Sequence, residues 1–147
     1  MVQNPGFETG NFNFWTRSGQ ASPAIVTGGH SGTYAARAGS ASAFKGNSVF
    51  RQTVTVPSGA PTLTFWYAPS CADTIAHDQI QMQIRSTNGS KQLASVLSVC
   101  TNTGAWTQVT FNMSQWAGRS VSLWFNVHDD GGRATPTSAL FDDISLG

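Results

Sequence analysis

Seven carboxylates, three histidines and two cysteines are the groups in this 147-residue sequence able to do acid, base, metal or thiol chemistry. The acids fall at Glu8, at Asp73 and Asp78, at Asp129 and Asp130, and at Asp142 and Asp143. Asp73, His77, Asp78, His128, Asp129 and Asp130 form one grouping if their two chain segments meet. Such a cluster suits a metal, Ca²⁺ through Asp oxygens or Zn²⁺ through His, or sugar hydroxyls at one end of a groove. A solvated turn, with Asp129 and Asp130 making Asx-turn bonds, is the plainer alternative. Glycoside hydrolysis needs two carboxylates roughly 5–10 Å apart across one bond. The single Glu lies near the N-terminus, which leaves only the Asp cluster for that role. No Gly-x-Ser-x-Gly elbow, P-loop, dinucleotide fingerprint or zinc-protease helix occurs. The sequence reads as a binding domain and not as an enzyme.

The more informative residues are tryptophans among amides. In Thr62–Tyr67, alternation puts Leu63, Phe65 and Tyr67 inside and Thr62, Thr64 and Trp66 outside. In Gln79–Arg85 the inward set is Ile80, Met82 and Ile84, against Gln79, Gln81, Gln83 and Arg85. In Ser120–His128 it is Val121, Leu123, Phe125 and Val127, against Ser122, Trp124, Asn126 and His128. These strands have an apolar side that needs neither Trp66 nor Trp124. An indole plane covers the apolar face of a pyranose, and amides and guanidinium groups bond its hydroxyls. The expected sugar-binding face comprises Trp66, Gln81, Gln83, Arg85, Trp124, Asn126 and His128, with Asp78 at one end; the alternative is that these tryptophans sit under loops or that the alternation slips at a bulge. Trp106 and Trp116 read as packing residues, and Trp15 as a core cap or sheet-edge residue.

Positioning such a face requires sheets. Serine and threonine supply 33 residues and glycine 15, whereas Glu occurs once and Lys twice. Thr, Val, Phe and Trp with abundant Gly favour strands and turns over helices. Strand-like runs occur near 12–17, 23–27, 33–38, 49–56, 62–68, 79–86, 92–99, 106–112, 120–128 and 138–146. Short strands at this spacing predict an all-β, antiparallel β-sandwich of the jelly-roll kind, as one domain over residues 1–147. Asn88-Gly89 marks a hairpin, and Gln115–Gly118 a single helical turn.

A formal net charge of +1 gives no field for nucleic acid or an anionic membrane. No apolar run approaches the ~20 residues that span a bilayer. The opening Met-Val-Gln-Asn-Pro lacks a leader pattern, so any signal peptide is expected to have been removed. Cys71 and Cys100 are either two buried thiols or one disulfide. Their Ser/Thr/Asn-rich surroundings favour the disulfide and a secreted, extracellular setting. Asn88-Gly-Ser90 and Asn112-Met-Ser114 match glycosylation sequons, a short pattern of little weight.

In Leu140–Leu146, Asp142 shares the parity of Leu140, Ile144 and Leu146, so it is expected to point inward. A lone inward carboxylate needs a cation or several hydrogen bonds. Glu8 is its natural co-ligand if the terminal strands pair, and oxygen donors of this kind suit Ca²⁺. Asn4-Pro-Gly-Phe-Glu8, Phe14-Trp15, His30-Ser-Gly-Thr-Tyr34 and Phe141-Asp-Asp-Ile-Ser-Leu146 resemble the ends of jelly-roll carbohydrate-binding modules of the family 4/9/22 type. These are found in secreted bacterial glycoside hydrolases. The resemblance spans the chain and implies a structural Ca²⁺ held by Glu8, by positions near His30 and Gly32, and by Asp142. It implies a poly- or oligosaccharide ligand and membership of a larger secreted polypeptide. An adhesion or accessory structural domain is the alternative. The segments Cys71–Asp78 and His128–Gly132 are not typical of a generic xylan or glucan binder.

Overall fold

A computed structural model describes residues 1–132 and 136–147. Among these residues, ten strands form two five-stranded sheets packed as a sandwich. They are β1 (Thr16–Gly19), β2 (Ala24–Thr27), β3 (Tyr34–Gly39), β4 (Lys45–Thr55), β5 (Thr62–Ser70), β6 (Gln79–Arg85), β7 (Gln92–Val99), β8 (Thr107–Asn112), β9 (Ser120–Asp130) and β10 (Ser138–Leu146). The front sheet has the order β1-β4-β9-β6-β7 and the back sheet β2-β3-β10-β5-β8, with every pairing antiparallel. The helical segment among the described residues is one 3-10 turn, Ser114–Trp116. The all-β sandwich expected from composition and strand spacing is therefore the fold, and among the described residues no helix is long and apolar enough to cross a membrane.

Phenylalanines from both sheets meet in the middle. The Phe50 and Phe125 rings, from β4 and β9, stack at 4.9 Å, and Phe125 meets Phe65 and Phe141 of the back sheet edge-on at 5.3 and 5.1 Å. Leu63, Ile80, Met82, Ile84, Leu123 and Val127 fill the remaining space and are fully buried. The inward sets read by alternation on β5, β6 and β9 are thus the core. The first strand is shorter than expected. Residues 12–15 form a turn that sends Phe12 and Trp15 into the core, Trp15 tied by its indole N–H to the Asn4 carbonyl at 3.1 Å. Trp116 is buried, while Trp106 is half-buried just ahead of β8.

Cys71 follows β5 and Cys100 follows β7, and the two are joined in a disulfide that links the sheets at one end. The Asn88-Gly89 hairpin connects β6 to β7, with Gly89 at φ +76 as the tight turn requires. With a sequence separation of 29, the bridge restricts the unfolded chain enough to stabilise the fold by about 3–4 kcal/mol. Replacing both cysteines with alanine should lower the urea unfolding free energy by that amount. An unchanged midpoint would remove the disulfide from the stability account.

Candidate functional site

Register places four rows of side chains across the outer surface of β4, β9 and β6. These are Asn47–His128–Gln79, Val49–Asn126–Gln81, Arg51–Trp124–Gln83 and Thr53–Ser122–Arg85. Trp124 stands near the centre and is half-buried. The Arg85 guanidinium lies over its ring, 3.8 Å from the centroid. Arg85 is fixed there because its Nε donates to Gln83 Oε1 at 2.9 Å and an Nη donates to the Gly89 carbonyl at 3.0 Å. Partial burial lowers its pKa from the ordinary value.

One backbone amide orients the polar half of this face. Ser48 N–H donates to Asn126 Oδ1 at 3.1 Å, which forces the Asn126 amide nitrogen the other way. That nitrogen donates to Asn47 Oδ1 and to Gln81 Oε1, both at 3.0 Å. Asn47 Oδ1 is an acceptor, so the 3.0 Å contact from His128 Nδ1 is an N–H donation. Neutral His128 therefore carries its proton on Nδ1 and presents Nε2 as an acceptor. Among the described residues, Asn47 Nδ2, Gln81 Nε2 and His128 Nε2 have no partner in this network, giving two donors and one acceptor in the two rows beyond Trp124.

The structure rearranges the expected face. Trp66 does not belong to it. β5 lies in the back sheet, where Trp66 pairs with Asp142 and Gln108 and its ring stacks on His30 at 3.9 Å. Alternation distinguishes inside from outside but not one outer surface from the other. Asp78 is also excluded, because it is fully buried, with Oδ1 accepting the Asp130 amide at 3.1 Å and Oδ2 held by the Thr137 hydroxyl. Gln83 and Asn126 share the face but are only 7% and 1% exposed, so they orient their neighbours from beneath. Asn47 and Arg51 were missed. The alternation of β4, with Phe50 and Val54 inward, would have placed both on this surface.

The second cluster forms in part. Ligand oxygens of Asp73, Asp78 and Asp130 lie within 4.8 Å of one another, a grouping able to hold a metal ion. A cavity of about 90 Å³ beside it is lined by Asp73, His77, Asp130 and Gly132. The Gly132 amide, with help from His77 at 2.7 Å, holds the Asp130 carboxyl below its ordinary value. Asp129 does not join it. Its side chain is buried and accepts the Gly131 amide at 2.9 Å and the Thr137 amide at 3.4 Å. His128 belongs to the Trp124 face instead.

Asp142 is buried, but for a reason other than the expected one. Phe141 is the core residue, and Asp142 shares the outer side of β10 with Trp66, beneath the turn that carries His30. The register then shifts at Asp143, whose φ is +49, and this returns Ile144 and Leu146 to the core. Asp142 Oδ2 accepts the amides of His30 at 2.8 Å and Ser31 at 3.3 Å. The Glu8 carboxylate accepts the Thr33 and Tyr34 amides at 3.0 and 3.1 Å from the far side of that turn. A side chain on Gly29 would collide with the carbonyls of Ser31 and Tyr34 and with Asp142, and one on Gly32 with Glu8. Glu8, His30, Gly32 and Asp142 are thus brought together around one turn. Asp143 binds His30 Nδ1 and the Ser31 hydroxyl, each at 2.7 Å.

The sequence matches no protein-family model and no curated protein. Its fold is similar to that of several solved structures. A family 61 carbohydrate-binding module, solved in complex with β-1,4-galactotriose, is 24% identical with a TM-score of 0.74, over 99% of this chain and 96% of that one. The K3 cleaved adhesin domain of Lys-gingipain from Porphyromonas gingivalis is 18% identical with a TM-score of 0.71, over 99% and 98%. The enzymatically active domain of bacteriophage CBA120 tailspike protein 4 is 14% identical with a TM-score of 0.63, over 99% of this chain but 21% of that one. The chain thus has the β-sandwich fold of carbohydrate-binding modules and adhesin domains.

Burial raises the Asp142 carboxyl from 3.8 to about 6, with the neighbouring Asp143 charge adding to the shift and the amides of Asp143, Ser31 and His30 opposing it. The folded state then holds a proton that the unfolded state releases. Without added cations, this group's contribution to stability should fall as pH rises from about 4 to about 6. Urea midpoints measured in chelator should decline across that interval and flatten in Asp142→Asn. A wild-type midpoint that rises there, with Asp142→Asn parallel to it, would contradict the assignment.

Proposed function

We propose that the outer surface of the front sheet binds a poly- or oligosaccharide without catalysis, as a module of a secreted polypeptide. The observation that carries this reading is the Asn126-centred network. It fixes donors on Asn47 and Gln81 and an acceptor on His128 in the two rows beyond Trp124, on a surface the core does not use. Sugar hydroxyls both donate and accept, so a prearranged mixture of both is the complement they need. The Arg85 guanidinium covers one face of the Trp124 indole, so the ring's other face and edge, with the aliphatic stem of Arg85, supply the apolar area for the sugar. Gln83 and Asn126 act as positioning residues. The fold likeness to a module solved with a β-1,4-galactan trisaccharide supports the reading. The disulfide supports an extracellular setting.

Each direct hydrogen bond contributes a net ~0.5–1.5 kcal/mol after exchange with water, so affinity is modest and stacking supplies most of the discrimination. Trp124→Ala should weaken retention by an immobilised polysaccharide such as β-1,4-galactan at least about tenfold. Its thermal stability should fall by no more than about 1 kcal/mol, the value of the lost cation–π contact. Full retention with a collapsed melting temperature would instead make Trp124 a structural residue. An adhesion role toward protein is the second reading, favoured by the likeness to the gingipain adhesin domain. It is separated by retention on protein but on no polysaccharide.

A structural Ca²⁺ forms part of the same proposal. The oxygens of Glu8 and Asp142, with carbonyls of the turn near His30 and Gly32, make a donor set suited to a hard cation. Its role would be to tie the N-terminal segment to β10, away from the front face. The Asp73, Asp78 and Asp130 group is the competing cation position. Calcium at about 100 times its Kd should stabilise the domain by about 2.7 kcal/mol over chelator. Under the proposal that gain is lost in Asp142→Asn and kept in Asp130→Asn. The opposite result would move the ion to the Asp73 cluster, and no gain in wild type would remove it.

A further inference from the structure

The Trp124 end of the face carries an unbalanced positive charge. Arg51 and Arg85 occupy adjacent rows on either side of the Trp124 position, one on β4 and one on β6. Both guanidinium groups converge on Gly89. Arg85 donates to the Gly89 carbonyl at 3.0 Å, and Arg51 Nη1 lies 3.1 Å from where a Gly89 Cβ would stand. Among the described residues, the one hydrogen bond from Arg51 goes to the Thr87 carbonyl, at 3.5 Å. Two cations are thereby gathered about one hairpin turn. Among the described residues, the ion pairs are His30–Asp143 and His77–Asp130, so neither arginine is paired with a carboxylate. Asp129, five residues beyond Trp124 on β9, is buried, and the nearest acid on the outer side of that strand is Asp130, six residues beyond. That is about 20 Å away, and His77 and the Gly132 amide already engage it.

Bringing two like charges together at a partly desolvated surface is unfavourable, and the described residues supply no carboxylate paired with either. The protein acceptors that hold them are neutral: two carbonyls and the Gln83 amide oxygen. They leave N–H groups of both guanidinium forks unused. Planar forks match carboxylates in paired hydrogen bonds, which an ammonium cannot do. Resting on the saccharide reading above, we propose that this end of the site recognises a carboxylate-bearing sugar, a uronate residue within the bound chain. Arg51 and Arg85 would grip the carboxylate, and Asn47, Gln81 and His128 the hydroxyls of the sugars beyond it.

Affinity electrophoresis at low ionic strength tests this with polygalacturonate, glucuronoxylan and alginate, each run beside its own carboxyl-reduced polymer, and with dextran sulfate as a polyanion control. At least one uronate polymer should bind about tenfold or more tightly than its reduced counterpart. The preference should weaken with salt. Arg51→Gln should abolish it, and Arg51→Lys, which keeps the charge but not the fork, should not restore it. Melting curves confirm that both variants are folded. Equal binding of acidic and reduced polymers would overturn the uronate inference and leave the saccharide reading standing. Dextran sulfate binding as tightly as the best uronate polymer, with full rescue by Arg51→Lys, would reduce the site to a point-charge patch and overturn the inference too. If no polymer binds, acidic or neutral, both readings fail.

Discussion

The eleven-residue antiparallel pairing of β4 with β9 is the constraint on which the rest of the molecule depends. On its inner side it stacks Phe50 on Phe125 and so sets the position of the back-sheet phenylalanines that pack against them. On its outer side it brings Ser48 N–H to Asn126 and Arg51 opposite Trp124. Because side chains alternate strictly, a one-residue slip would exchange the two surfaces. The core's demand for aromatic packing therefore fixes the register that arranges the polar face. Folding energy and site geometry come from the same row of hydrogen bonds.

The polar face is ordered by elimination. A backbone N–H admits only an acceptor, so Asn126 has one orientation. That orientation dictates those of Asn47 and Gln81 and the tautomer of His128. Ligand binding then has little side-chain ordering left to do, which reduces its entropic cost. Arg85 is restrained in the same manner, by an amide oxygen, a carbonyl and an indole face. The calcium proposal concerns the opposite surface, where Glu8 and Asp142 clasp the His30 turn from two sides. The Pro5 carbonyl, which accepts the Ile144 amide at 3.0 Å, joins the N-terminal segment to that same corner.

Much of the fold was legible because strand alternation is a local property. The inward residues of β5, β6 and β9 follow from parity alone, and each is buried. The Asn-Gly turn and the cysteine pair are likewise local in composition. What sequence could not give was the partition of strands between sheets. Trp66 and Trp124 have the same outward character, yet long-range pairing sends their strands to opposite sheets. Asp142 illustrates a second limit. Its apparent parity with Ile144 and Leu146 is broken by a bulge at Asp143, and its burial comes from a covering turn and not from the core. Asp78 shows the same effect, since a residue outside any strand is buried by Thr137 and the end of β9.

Mapping a bound saccharide onto the two outer surfaces tests the central claim most directly. Backbone and side-chain amide resonances would be followed as β-1,4-galactan or uronate oligosaccharides are added to the isotopically labelled domain. The account predicts perturbations of the Trp124 indole N–H, the Asn47 and Gln81 side-chain amides and the Arg51 and Arg85 guanidinium signals, with Trp66, Trp106 and the His30 turn unmoved. Perturbations centred on Trp66, Trp106 and His30, with the front sheet silent, would place binding on the other surface and contradict it.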